Sequence, residues 1–95
     1  MKLTSSEALK LLENAKEKTS NDGWIYHSIC VGNTAAKIAK ALNLDIELER
    51  TLGYIHDIGK SFKYEHNWVF SHAVYGYKYI KELGYDEEYA GICIF

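Results

Sequence analysis

Apolar side chains along this chain return at three- and four-residue steps, and polar interruptions cut the pattern into helix-length pieces. The first piece carries Ala8, Leu9, Leu11, Leu12 and Ala15, with Thr4 and Glu7 spaced ahead of it as a capping box, and it fades into the polar stretch 16–21. Asn21 or Asp22 then opens a longer helix in which Trp24, His27, Cys30, Val31, Thr34, Ala35, Ile38 and Leu42 recur, so that stripe, His27 included, is expected to face inward. Asn43 suits a left-handed terminator, and Asp45 starts a third helix that carries Ile46, Leu48, Leu52 and Ile55 and runs to Gly59, where the chain turns away. A loop over 60–70 follows. Ser71 caps a fourth helix through Val74, Tyr75, Tyr79, Ile80 and Leu83, closed by Gly84 in the manner of a Schellman turn. A fifth begins near Asp86, where Glu87 and Glu88 suit a helix amino end, and the chain closes on the apolar run Ile92, Cys93, Ile94, Phe95 before a second apolar turn is complete. With no internal repeat, low-complexity tract, linker or proline, the pattern predicts an all-α fold: one domain over 1–95, a compact bundle of about five helices.

Composition narrows the function. A chain of 95 residues has room for one modest core, burying roughly 60–65% of its unfolded surface. Hydrophobic residues at 47% and charged residues at 25% are a globular mix. A net charge of −2 from 11 basic and 13 acidic residues supplies no footprint for a nucleic-acid backbone or an anionic membrane, so polyanion binding is set aside as a main role. No apolar window is long enough for a membrane span, and MKLTSSEALK lacks the apolar region of a secretory signal, which points to the cytoplasm. Cys30 and Cys93 lie in no CxxC motif and are expected to be reduced and buried.

The stretch GYIHDIGK, residues 53–60, sets two ionisable side chains inside an apolar run. Neighbours on a helix diverge by about 100°, so His56 and Asp57 share one ion only where the helix ends and another element brings a further ligand. His27 is the natural third partner. Two imidazoles and a carboxylate suit divalent manganese, iron, cobalt, nickel or zinc, and the oxygen share admits magnesium. Such an ion lowers the pKa of a bound water from about 15.7 toward about 7.

These residues carry a resemblance. His27-Ser28 with Val31, Ala35, Ala36 and Ala39, then residues 53–60, then His72-Ala73 with Gly76, resemble the HD-domain superfamily of metal-dependent phosphohydrolases, in its HDIG subgroup, over about residues 24–83. The resemblance implies an HD-like bundle in which His27, His56 and Asp57 are metal ligands and Asp57 and Lys60 are catalytic. It implies that Lys60 and His72 contact substrate, a small phosphate ester or nucleotide. The implied reaction is attack of a metal-bound hydroxide on phosphorus, with metal and lysine neutralising the phosphoryl oxygens.

The family's site is completed by an aspartate on a later helix, and nothing after Asp86 stands in for it; Asp86, Glu87 and Glu88 read as capping and solvation. Water, a ligand from another subunit, or weak metal binding are the alternatives. The apolar ending suggests a shortened domain, its C-terminal helices truncated, that forms a homodimer through its last turns. Each residue also has a plainer reading: His27 as a core histidine, Lys60 as a helix-end cation, His72 as a solvated first-turn residue, His66 as merely exposed, and Trp24 and the tyrosines as core. Two hypotheses therefore stand side by side, an active phosphohydrolase and a non-catalytic ligand-binding or dimerisation module with an incomplete metal site.

Overall fold

The computed structural model describes residues 1–62 and 71–94. The helix signals set the elements. Helix α1 (Ser5–Lys16) begins on the full capping box: the Thr4 hydroxyl accepts from the Glu7 amide at 3.1 Å and the Glu7 carboxylate accepts from the Thr4 amide at 3.0 Å. Helix α2 (Gly23–Ala41) has Asp22 at its cap position, but the capping bond is made by Asn21, whose Oδ1 accepts from the Gly23 amide at 3.2 Å. It ends in a Schellman turn: Asn43 sits at φ 58°, and the Leu44 amide reaches back to the Ala39 carbonyl at 2.8 Å. Asp45 caps α3 (Ile46–Ile55), accepting from the Leu48 amide at 3.0 Å. Helix α3 stops at Ile55 rather than running to Gly59; a 3₁₀ turn (Ile58–Ser61) follows. Helix α4 (Ser71–Glu82) has Ser71 as its first residue, and Gly84 at φ 90° closes it with the Tyr85 amide on the Ile80 carbonyl. The short α5 (Glu87–Gly91) ends the fold. The described residues contain no strand, and the all-α expectation holds.

The core is built from one face of each helix, with Leu12, Ile25, Ile55, Ile58 and Ile80 almost fully enclosed. Phe62 closes one edge, stacked on Tyr75 at 6.3 Å and edge-on to Tyr79 at 5.1 Å. Trp24, Tyr77, Tyr79 and Tyr85 pack against the core and Tyr89 lies inside it, as their plainer reading held; His66, Trp68 and Phe70 fall outside the described residues.

Helix α2 corrects two expectations. Its buried residues are Ile25, Ser28, Gly32, Ala36 and Ala39, and the stripe expected inside is largely outside: His27, Cys30 and Thr34 are exposed, with Ile38 at 54% and Leu42 at 64%. The reason is the closeness of the α2–α3 crossing. A β-carbon on Gly53 would stand 2.5 Å from the Gly32 Cα, and one on Gly32 would stand 2.2 Å from the Tyr54 ring. Only small residues fit that seam, so α2 turns its small side chains toward α3 and its larger ones away. Cys30 is consequently exposed, not buried; Cys93 is buried, and burial pushes its thiol up to about 12, which keeps it protonated and unreactive.

Among the described residues, no helix is long and apolar enough to cross a membrane.

Candidate metal centre

The centre forms where α3 breaks. His56 keeps helical angles at the helix end, while Asp57, at φ −112° and ψ 18°, has left them. That single backbone change cancels the divergence of adjacent helical side chains: Asp57 Oδ2 lies 3.2 Å from His56 Nε2. His27 arrives from the open face of α2, its ring 5.9 Å from that of His56 and edge-on to it. One donor atom each from His27, His56 and Asp57 lies within 4.8 Å of the others. His27 thus reaches the cluster because it faces outward, at the surface.

Two further predicted residues stand against the same carboxylate. Lys60, one 3₁₀ turn on, brings Nζ to 3.4 Å from Asp57 Oδ2. His72, in the first turn of α4, brings Nε2 to 3.7 Å from Asp57 Oδ1. Gly59 makes the second approach feasible, because α4 lies so close that a β-carbon there would stand 1.7 Å from the His72 carbonyl oxygen. Its role is this contact and not the turn assigned to it from sequence. The acidic cluster after Gly84 stays outside the donor group: Asp86 pairs with the Met1 amino group, and Glu87 binds Lys81 at 3.1 Å and Tyr77 at 2.5 Å.

The electrostatics follow from the geometry. A hydrogen bond from His56 holds the Asp57 carboxyl at about 2, against the opposing effect of burial and with help from the charges of His56 and Lys60. The same bond raises the His56 pKa, burial opposes it, and a bond to the Gly53 carbonyl adds to it. That carbonyl, 2.6 Å from Nδ1, can only accept, so Nδ1 carries a proton and the lone pair of neutral His56 is on Nε2, facing the carboxylate.

A pH dependence results for the metal-free protein. The folded pKa of Asp57 lies below its unfolded value of about 3.9, so its stabilisation, present above that value, is lost as pH falls toward 2. The folded pKa of His56 lies above its unfolded value of about 6.5, so its contribution is complete below that value and is lost as pH rises through the folded pKa. Urea titrations at about pH 3, 6 and 9 should give the highest midpoint at about pH 6; a midpoint that rises steadily to pH 9 contradicts this assignment.

The donor set fits a divalent metal. Metal-bound histidines ordinarily donate their second ring N–H to a carbonyl or carboxylate, as His56 does to Gly53. Donors sharing an ion at about 2.1 Å lie about 3 Å apart, close to the His56–Asp57 separation of 3.2 Å. Without an ion, a proton on His56 occupies the same lone pair, so loading should tighten as pH rises through that pKa.

The family model for the HD domain matches residues 24–93, from the first turn of α2 to just beyond α5. The chain belongs to the HD-domain family. It is 41% identical over 71 residues to ribonuclease Y of Clostridium perfringens strain 13, covering 74% of this chain and 14% of that protein. It is 35% identical over 79 residues to ribonuclease Y of Petrotoga mobilis, covering 82% of this chain and 15% of that protein. It is also 31% identical over 97 aligned positions to the uncharacterized protein MJ1154 of Methanocaldococcus jannaschii, covering 90% of this chain and 21% of that one. The chain spans about a seventh of the length of these ribonucleases. No solved structure matches it. Membership in HD, a family of metal-dependent phosphohydrolases, agrees with a site in which His27, His56 and Asp57 could hold a metal.

Proposed function

We propose that this HD domain is a metal-dependent phosphohydrolase acting on a small phosphodiester of nucleotide size. The observation that carries the reading is the convergence on Asp57: three donors that could share one ion, with Lys60 and His72 on the same carboxylate from outside that group. His27, His56 and Asp57 would hold a divalent ion of the manganese-to-zinc series or magnesium, which when bound supplies Lewis-acid activation of water and neutralises phosphoryl charge. Lys60 and His72 would contact the remaining phosphoryl oxygens, Lys60 as a fixed cation and His72 as a hydrogen-bond donor.

The diester is favoured because two of the three named relatives are ribonucleases, whose substrates are joined through phosphodiesters. A long polyanion is not favoured, because a net charge of −2 offers no basic track for it.

The test is turnover by the manganese-loaded protein. Hydrolysis of bis(p-nitrophenyl) phosphate, faster than that of p-nitrophenyl phosphate and abolished by chelation, supports the reading, and Lys60→Ala should lower the diester rate about a hundredfold. Protein that carries one metal per chain and cleaves neither ester is instead the non-catalytic module.

A further inference from the structure

Next to His56 lies a cavity of about 340 Å³, lined by Val31, Ala35, Leu52 and Ile92, with Gly53 of the α2–α3 crossing also in its lining. Its walls are apolar, and the two residues in it that can bind polar groups lie apart: His56 and Glu49. Residues 49, 52, 53 and 56 share one face of α3, and the seven-residue step from Glu49 to His56 amounts to about 10.5 Å along the helix. The Glu49 side chain is partly buried and has no hydrogen-bond or ion-pair partner among the described residues. Metal ligand, apolar slot and unpaired carboxylate thus follow one another in a line.

From this arrangement we infer that the cavity is a base subsite, in which a guanine ring lies between the apolar walls and presents its N1–H and N2–H donors to Glu49 while the attached phosphate reaches the metal centre. The inference rests on the phosphohydrolase reading and names the substrate class for it. A carboxylate has acceptors only, so the ligand edge facing Glu49 must donate. Of the common bases, guanine alone sets two N–H donors side by side. Adenine and cytosine pair one amino group with a ring nitrogen lone pair, and uracil flanks one N–H with two carbonyls, so each sets an acceptor against the carboxylate. Leaving such a pair unmatched in a partly desolvated slot is costly, which is what turns the contact into selectivity. The apolar walls take the ring faces, as small-ligand sites of this size generally do. The axial step of about 10.5 Å from Glu49 to His56 is of the order of a nucleoside monophosphate's length from base edge to phosphate.

The experiment is equilibrium binding of 5′-GMP, 5′-AMP and inorganic phosphate to the manganese-loaded protein, repeated for Glu49→Gln. GMP should bind about tenfold to a hundredfold tighter than AMP, and Glu49→Gln should bring that ratio close to one while leaving phosphate affinity unchanged. Equal affinities, a preference that survives Glu49→Gln, or no nucleotide binding at millimolar concentration each overturn the subsite. Turnover of bis(p-nitrophenyl) phosphate separates the two levels: a diester-cleaving protein without GMP preference loses only the subsite, whereas a GMP-selective protein that cleaves no diester keeps the subsite and loses the phosphohydrolase reading.

Discussion

Asp57→Asn should empty the metal centre and lower kcat/KM on a diester at least about a thousandfold while the helices stay folded. The carboxylate is the only anion among the donors, and His56, Lys60 and His72 all lie within 4 Å of it. An amide keeps the shape and removes the charge, so two imidazoles are left to hold a dication beside the Lys60 ammonium. The proton on His56 loses its main support as well, since the hydrogen bond to Asp57 is the largest cause of its raised pKa. Metal content, measured by elemental analysis after gel filtration, should fall from near one per chain to near zero. His27→Ala is the cleaner companion, because its side chain is exposed and lies outside the hydrophobic core. It should lose metal with little change in the melting temperature of the metal-free protein. If either variant retains full metal and full turnover, the three-residue centre is wrong.

The sequence made the element ends and the cluster legible for local reasons. Thr4 with Glu7, Asp45, Asn43 and Gly84 act through bonds that span five residues or fewer, and each formed as its spacing predicted. His56 and Asp57 were visible because two ionisable neighbours in an apolar run are conspicuous. The face of α2 was not legible. Its stripe of larger apolar residues outweighed Ser28, Gly32, Ala36 and Ala39, yet the distance to α3 is set by those small residues, and that distance is tertiary information. The same stripe placed His27 inward in expectation, although its place in the donor group depends on the opposite. Glu49 was missed because an acid in the first turn of a helix is fully accounted for by the helix dipole. Its seven-residue step to His56 was the one available signal, and it gains meaning only once the slot between them is seen.

The second large effect concerns folding. Gly59→Ala should destabilise the protein by about 3 kcal/mol, because the added methyl would meet backbone that cannot rotate aside. The new carbon would stand 1.7 Å from the His72 carbonyl oxygen and 2.8 Å from the Gly76 amide nitrogen, so the first turns of α4 must move as a unit. Gly76 is itself in close contact with Cys93, whose Sγ would be 3.2 Å from a β-carbon there, and the Cys93 thiol donates to the Ile55 carbonyl at 3.5 Å. Displacement of α4 therefore strains both its seat on the 3₁₀ turn and the end of α3 next to the candidate metal donors. For a domain of this size each kcal/mol corresponds to about 4–8 °C in Tm, so a fall on the order of 15 °C is expected. Gly91→Ala is the internal control: nothing lies within 4 Å of its would-be β-carbon, and it sits in helix α5, so the change should be neutral or stabilising by a few tenths of a kcal/mol. Thermal melts of the two variants decide the matter, since a mere preference for alanine over glycine in helices moves both the same way. Only the close contact between the 3₁₀ turn and α4 separates them. His72 shifts with α4 in Gly59→Ala, so under the proposed phosphohydrolase reading the turnover that survives at low temperature should also fall, through loss of the proposed His72 substrate contact and not of the metal.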